Sequence, residues 1–254
     1  MGGLAKGLAV IEALRDRAGR LTIADAARAG GMSRAAARRC LRTLTELGYV
    51  AQDRAEYRPL PALMRLGAAY YATVPLPALA PGILASARDR LAESVSLAVL
   101  DGADVLFVGR AEASRIIATG VGIGRRLPAY CSATGRVLLA ALSDAEVRAR
   151  LAERPRVART PRTLVALGRI VAAVGEARRD GYAISDEEIE LGMRALAVAV
   201  RDATGTTVAA MSVSVPAVRI DAAALRTTFL PVLTEHARLL EDAVRLTGSP
   251  PVSP

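Results

Sequence analysis

The sequence predicts a two-domain chain: an N-terminal, mainly α winged helix-turn-helix followed by an α+β domain. Three observations carry this prediction. Residues 22–49, TIADAARAGGMSRAAARRCLRTLTELGY, read as a short helix, a glycine turn and a longer helix studded with arginines. The segment 74–81, VPLPALAP, holds three prolines and no charge, and marks a boundary. Beyond it, strands with half-buried apolar patterning alternate with helical periodicity and hairpin turns, an α+β pattern.

Composition supports a folded chain of this size. It has 254 residues, 52% hydrophobic and 23% charged, with only 3% aromatic and no Trp, so Ala, Leu and Val must fill the core. The net charge is +9, and residues 1–65 hold twelve Arg or Lys against six Asp or Glu, a net of +6. A positive domain of this kind attracts polyanions over a Debye length. Charge kept for solubility alone does not predict the asymmetry. Lys6 is the only lysine; that bias reflects a GC-rich genome and is not itself evidence for phosphate binding. Cys40 and Cys131 lie far apart outside any CxxC pattern, and His236 is the only histidine. Neither a disulfide framework nor a metal site is expected, and no cofactor motif is present. No uninterrupted apolar run reaches about 18 residues and no signal-peptide pattern opens the chain, so the expected location is cytoplasmic, with no membrane partner.

Taken in order, Leu4, Leu8, Ile11 and Leu14 recur at spacings of three and four, which predicts a helix over 4–18 broken by Gly19. Thr22 is placed to cap a helix over 23–29, with Asp25 completing a capping box and Gly30-Gly31 ending it. Ser33 is placed to cap a longer helix over 34–47. There Ala37, Leu41, Leu44 and Leu47 form one stripe, Arg34, Arg38 and Arg42 lie on another face, and Gly48 is the expected C-cap. Residues 49–51 and 57–58 read as a two-stranded wing around a turn at 53–56, stopped by Pro59 and Pro61. A helix over 62–73 and the proline-rich hinge over 74–81 follow. The second domain reads as a helix over 83–94, strands over 94–101 and 104–112 joined at Asp101-Gly102, and a strand over 116–121. Next come a glycine-bearing loop over 122–135, helices over 136–142 and 143–150, and an amphipathic helix over 164–180 ended by Gly181. A strand over 182–184, an acidic loop over 185–192, strands over 196–202 and 207–215 and a helix over 222–246 complete it, with a disordered tail over 248–254.

This order and several long segments resemble the IclR family of bacterial transcription regulators. The N-terminal segments are LAVIEAL, TIADAARAGGMSRAAARRCLRTLTELGYV and LPALMRLGAAYYA. The C-terminal ones are SVSLAVLDGADVLFVGR, GIGRRLPAYCSATGRVLLAAL and DGYAISDEEIELGMRALAVAVRDATGTTVAAMSVSV. The resemblance spans residues 4–246. Within the family, RLPAYCSATGRVLLA and RAAARR look most like the regulators of protocatechuate, β-ketoadipate and 4-hydroxybenzoate catabolism, which share an alanine at Ala36 where many members have threonine. The resemblance implies a winged helix-turn-helix DNA-binding domain over 1–61, a linker helix and hinge over 62–81, and a GAF-like effector-binding domain over 82–247. It also implies a homodimer or dimer of dimers on a pseudo-palindromic operator of double-stranded DNA, answering to a small carboxylic acid such as 4-hydroxybenzoate or protocatechuate.

For DNA contact the candidates are Ser33, Arg34, Arg38, Arg39 and Arg42 on the second helix, with Arg54 and Arg58 on the wing. An arginine fork can hold guanine O6 and N7 or a phosphate, and Ser33 with the helix N-terminus can hold a phosphate. The plain alternative is a solvated basic face. For the effector, the resemblance places Thr119, Leu127, Ala133, Thr134, Ser185, Ala195, Ser212 and Ser214 at the pocket. Ala133 and Thr134 would offer backbone N–H groups to a carboxylate, and Ser212 and Ser214, two apart on a strand, face one side. Some members carry an acid in place of Ser185 and a cysteine in place of Ala195, which implies an effector other than a small 2-oxo acid. Tyr130 and Met211 are candidates for an apolar wall or for plain core, and Arg115 or Arg126 for a carboxylate partner or a surface role. Two rival readings remain open. One is an enzyme fused to a DNA-targeting domain, for which Cys131 and His236 lack an orienting third group; the other is an architectural DNA binder without an effector.

Overall fold

The computed structural model describes residues 2–16, 19–113 and 122–247. Contacts divide the chain into two units, residues 1–73 and 74–254.

The first unit opens with α1 (Gly3–Asp16) and a two-residue strand β1 (Leu21–Thr22), followed by α2 (Ile23–Ala29) and α3 (Arg34–Glu46). Local chemistry sets these boundaries. Thr22 accepts from the Asp25 N–H while the Asp25 carboxylate returns a bond to Thr22, a complete capping box. Ser33 Oγ accepts from the Ala36 N–H at 3.2 Å. At the other end α3 stops at Leu47. Gly48 follows with φ +75°, and the Tyr49 and Gly48 N–H groups bond the carbonyls of Leu44 and Thr45, a Schellman stop that only glycine enters without strain. Strands β2 (Val50–Asp53) and β3 (Glu56–Pro59) form the wing. β1 pairs with β3 on its other side, so the sheet has three strands in the order β1-β3-β2 rather than the two expected. Val10, Leu14, Leu21, Ala26, Leu41, Leu44, Val50 and Tyr57 form the core of this unit. A 3-10 turn at Pro61–Leu63 leads into α4 (Met64–Thr73), none of whose residues is buried.

The expected hinge over 74–81 is instead the opening of α5 (Pro75–Leu91), and the boundary between units falls after Thr73. Pro75 and Pro77 sit in the first turn, where N–H groups have no intrahelical acceptor, so the missing donors are not missed. Leu76, Ala80, Leu84, Ala87 and Leu91 then bury one face.

A six-stranded antiparallel sheet organises the second unit. Its strands are β4 (Val95–Asp101), β5 (Asp104–Ala111), β6 (Arg126–Pro128), β7 (Tyr182–Asp186), β8 (Met193–Arg201) and β9 (Thr207–Pro216), in the order β6-β5-β4-β9-β8-β7. Part of the expected glycine-bearing loop is therefore β6, and a 3-10 turn at Ala129–Cys131 leads into α6 (Ala133–Leu139) three residues earlier than the sequence suggested. α7 (Asp144–Ala152) and α8 (Leu167–Asp180) follow, the latter stopped by Gly181 at φ +77°. The final helix appears as a short α-turn (α9, Ala222–Ala224), a π-turn (Leu225–Phe229) and α10 (Leu230–Leu246). The expected strand over 116–121, the candidate contact Thr119, Arg115 and the tail over 248–254 lie outside the described residues.

Strand alternation sends side chains to two cores. Leu196, Val198, Val200, Met211, Val213 and Val215 face α5 and α10, while Ala197, Ala199 and Ala210 face α6 and α8. A β-bulge between Leu97 and Ala98 pairs these with Gly109 and Phe107 and skips Val108, so Val108 and Gly109 both face the α5 side while Phe107 stays with Val105 on the α6 side. Among the described residues no single helix is long and apolar enough to cross a membrane.

Candidate DNA-binding face and effector cavity

α3 presents its basic side chains to solvent. Ala36, Ala37, Leu41 and Leu44 are buried, and Arg34, Arg38, Arg39 and Arg42 are exposed. Residues four apart drift by about 40° around a helix, so Arg34, Arg38 and Arg42 form a shallow spiral along one side. Arg42 differs from the others: its Nε donates to Glu46 Oε1 at 2.8 Å, an i,i+4 pair on the helix surface. Arg34, Arg38 and Arg39 have no acidic partner among the described residues. Arg39 turns toward a groove it shares with Ile11, Cys40, Thr43 and Leu47. The Ser33 hydroxyl is engaged as the helix cap, leaving its proton free to donate.

On the wing, Arg58 is exposed on β3, and Arg54 forms the tip. Arg54 adopts φ +54°, where a side chain costs about 1 kcal/mol that glycine would not. Gln52 Nε2 holds the tip by donating to the Arg54 carbonyl at 3.0 Å, and Arg20 pairs with Glu56 at the base at 2.8 Å.

The second unit contains a cavity of about 220 Å³ between the sheet and α6. Seven of the eight expected effector positions line it: Leu127, Ala133, Thr134, Ser185, Ala195, Ser212 and Ser214. The sheet register explains the convergence. Ser212 stands opposite Ala197 and Ser96, Ser214 opposite Ala195, and Ala195 opposite Ser185, so these side chains share one face. α6 sits above that face with its first turn over the cavity. Ser132 caps it by accepting from the Gly135 N–H at 3.0 Å, which leaves the Ala133 and Thr134 N–H groups without intrahelical acceptors. α6 can approach this closely because residue 135 is glycine: a Cβ there would lie 2.2 Å from the Ala129 carbonyl oxygen.

Ser185 is less free than the sequence reading implied, since its hydroxyl donates to the Cys131 carbonyl at 3.0 Å. Three residues for which the sequence left two roles open are decided. Met211 is fully buried on the opposite face of the sheet, against α5 and α10. Tyr130 lines a neighbouring cavity, its hydroxyl donating to the Val157 carbonyl at 2.6 Å and accepting from the Val157 N–H. Arg126 turns away and pairs with Asp101 and Asp104. In its place the cavity is lined by Arg125, Arg159 and Arg194, with Phe107, Ile189, Glu190 and Met193. Arg194 is committed to Asp186 and the carbonyls of Ala217 and Ile220, and Arg159 Nε donates to the Ile189 carbonyl. The Arg125 guanidinium has no partner among the described residues. Sequence offered only one signal for these residues, the strand alternation that aims Phe107; the others come from loops brought in by tertiary packing.

Cys131 and His236 do not form a nucleophile–base pair. They belong to opposite faces of the sheet, Cys131 beneath α6 and His236 on α10. Burial pushes the Cys131 thiol up to about 12, far from a reactive thiolate. His236 is a buried structural group: Nδ1 donates to the Val232 carbonyl at 2.8 Å and Nε2 lies 3.1 Å from Ser86 Oγ.

Comparison with known proteins places the chain in a family. Residues 3–54 match the IclR helix-turn-helix domain, and residues 68–241 match the C-terminal domain of bacterial IclR transcriptional regulators. The chain is 40% identical to the Pca regulon regulatory protein of Pseudomonas putida, over 94% of this chain and 82% of the relative. It is 34% identical to the p-hydroxybenzoate hydroxylase transcriptional activator of Acinetobacter baylyi, over 95% and 91%. Among solved structures it resembles a transcriptional regulator of Rhodococcus sp. RHA1, at 41% identity and a TM-score of 0.82 over 95% and 97% of the two chains. It also resembles the inducer-binding domain of PobR from Acinetobacter, solved as a double mutant with 3-hydroxybenzoic acid, at 29% identity and a TM-score of 0.63 over 66% and 98%. The relatives are transcriptional regulators, not enzymes, and this chain belongs to the IclR family of bacterial transcriptional regulators.

Proposed function

We propose that the regulator answers to a small aromatic carboxylic acid held in the cavity beneath α6, and that it controls genes for the catabolism of such acids. The observation that carries this reading is the cavity itself. The two N–H groups of the α6 first turn, the Ser212 and Ser214 hydroxyls and Arg125, unpaired among the described residues, converge on one space, a donor-rich site suited to a carboxylate. Phe107, Leu127 and Met193 supply apolar surface for a ring. At about 220 Å³ the cavity falls below the roughly 300–1,000 Å³ of drug-sized sites, which favours a single-ring ligand. The similarity to regulators named for the Pca regulon and for p-hydroxybenzoate hydroxylase points to the same chemistry.

On the DNA side, Arg34 and Arg38 are the contacts this reading favours, with Ser33, Arg39, Arg54 and Arg58 adding backbone contacts and Arg42 held back by Glu46. A homodimer on a pseudo-palindromic operator is supported by apolar surface left open on the first unit. Leu4 and Met64 are each 79% exposed, and Leu4, Leu8, Ile11, Leu47 and Leu66 line one groove. An effector alters DNA affinity only as far as it binds two arrangements of the dimer differently. The site of action is the cytoplasm, where the DNA is.

The test is fluorescence anisotropy at physiological salt, comparing DNA upstream of the gene with scrambled DNA, with and without 4-hydroxybenzoate and protocatechuate. Specific binding modulated by one of the acids is expected, and Arg38→Ala should weaken it by about 5- to 150-fold with folding unchanged. Specific binding indifferent to both acids would remove the effector class. Binding without sequence preference, steep in salt, would reduce the basic face to phosphate contact and favour an architectural role.

A further inference from the structure

Directly behind the cavity lies an ion pair that the sequence reading did not single out. Arg136 and Glu188 are 5% and 8% exposed, and Arg136 Nη2 donates to Glu188 Oε2 at 2.6 Å. The two residues belong to the two walls of the cavity. Arg136 stands in α6, two positions after Thr134. Glu188 lies in the segment after β7, next to Ile189 and Glu190, both of which line the cavity.

The pair gathers backbone from three places. Arg136 Nη2 also donates to the Tyr130 carbonyl, and Nη1 to the Ile184 carbonyl, each at 3.4 Å. Glu188 Oε2 accepts in addition from the Leu164 N–H at 3.2 Å. Around it the carbonyls of Glu187, Glu188 and Ile189 are held in succession by Thr160 Oγ1, Thr163 Oγ1 and Arg159 Nε. Residues 187–189 are thus each tied to groups outside the segment, and of its two ion pairs among the described residues, Glu187 with Arg162 at 2.7 Å and Glu188 with Arg136, the buried one runs to α6.

Stability alone is a poor reason for such a pair. Taking two charges out of water is costly, and apolar residues of similar volume usually serve folding as well or better. Here the cost is visible, because the buried Arg136 Nε finds no acceptor among the described residues. What apolar side chains cannot do is hold three named backbone groups in register with each other. We propose that Arg136 and Glu188 are positioning residues for the effector: the pair sets the distance between the α6 first turn, which offers the Ala133 and Thr134 N–H groups, and the 187–190 wall. This rests on the cavity being the effector site. Neither side chain touches the ligand.

The experiment titrates 4-hydroxybenzoate and protocatechuate by calorimetry into the full-length parent, Glu188→Gln, and the apolar double variant Arg136→Met with Glu188→Met, with thermal unfolding measured on each. The acid that the parent binds more tightly is the probe. Glu188→Gln is expected to weaken its binding at least tenfold. The double variant, freed of this buried ion pair, is expected to unfold near the parent temperature yet keep the tenfold loss, and that split separates positioning from mere stability. Parent-like affinity in either folded variant would overturn the proposal. Failure of the underlying reading looks different: the parent itself would take neither acid, and this proposal would fall with it.

Discussion

The seat of α6 can be tested by a single methyl group. Gly135→Ala would place a Cβ 2.2 Å from the Ala129 carbonyl oxygen, 2.3 Å from its Cα and 2.6 Å from its carbonyl carbon. These atoms are backbone and cannot swing aside. Restoring ordinary contact near 3.5 Å requires α6 or the 129–131 turn to move by about 1 Å, in a core that is close-packed. Overpacking of this kind costs about 1–3 kcal/mol and here should reach the upper end, because three atoms are violated at once. Alanine returns about 1 kcal/mol of helix propensity, leaving a net loss of about 2 kcal/mol. For a unit of this size that corresponds to a fall of about 4–8 °C in Tm. Gly175→Ala on α8 is the control. Its Cβ would find nothing closer than Arg179 Nη1 at 4.0 Å, so the same change should stabilise by up to about 1 kcal/mol. Urea unfolding followed by circular dichroism reads both. If Gly135→Ala proves as stable as the parent, or both variants shift in the same direction, the close seating of α6 on Ala129 is wrong.

Three further outcomes are expected. Arg54→Gly should raise the stability of the first unit by about 1 kcal/mol, by relieving the left-handed backbone, and at the same time weaken DNA binding and flatten its salt dependence. A variant that is destabilised, or that binds DNA as the parent does, would remove the wing tip from the interface. Ser212→Ala with Ser214→Ala should weaken effector binding by roughly tenfold or more, at about 1 kcal/mol per hydrogen bond lost, with DNA affinity in the absence of effector untouched; an unchanged effector Kd would take both hydroxyls out of the site. Because burial raises the Cys131 thiol to about 12, the folded chain retains that proton where the unfolded chain loses it, so this group's contribution to stability is full below the ordinary thiol range and declines as pH rises toward 12. At pH 8 a thiol reagent should therefore modify half-buried Cys40 in the folded protein and reach Cys131 only on unfolding; two equally fast thiols would contradict the burial.

Sequence alone determined what depends on residues close in the chain. Thr22 with Asp25, Ser33 and Gly48 announce helix ends because caps are formed by side chains and backbone within three or four residues. The basic face of α3 is legible for the same reason, since a helix converts spacing into direction. The positions carried over by resemblance found one another in space, but through a register that no local pattern states: Ser185, Ala195 and Ser214 lie side by side only because β8 pairs with both β7 and β9. Tertiary structure decided the rest. Prolines read as a break from composition, yet Pro75 and Pro77 open α5 because a first turn needs no N–H donors. The strand β1 is two residues long and exists only through its pairing with β3. Arg125 and Arg126 are neighbours in sequence with opposite fates, one open at the cavity and one paired with Asp101 and Asp104, and only the pairing of β6 with β5 decides which is which. Arg136 and Glu188 are 52 residues apart; nothing in either neighbourhood announces the other, because a buried ion pair is a property of the packed interior and not of the chain.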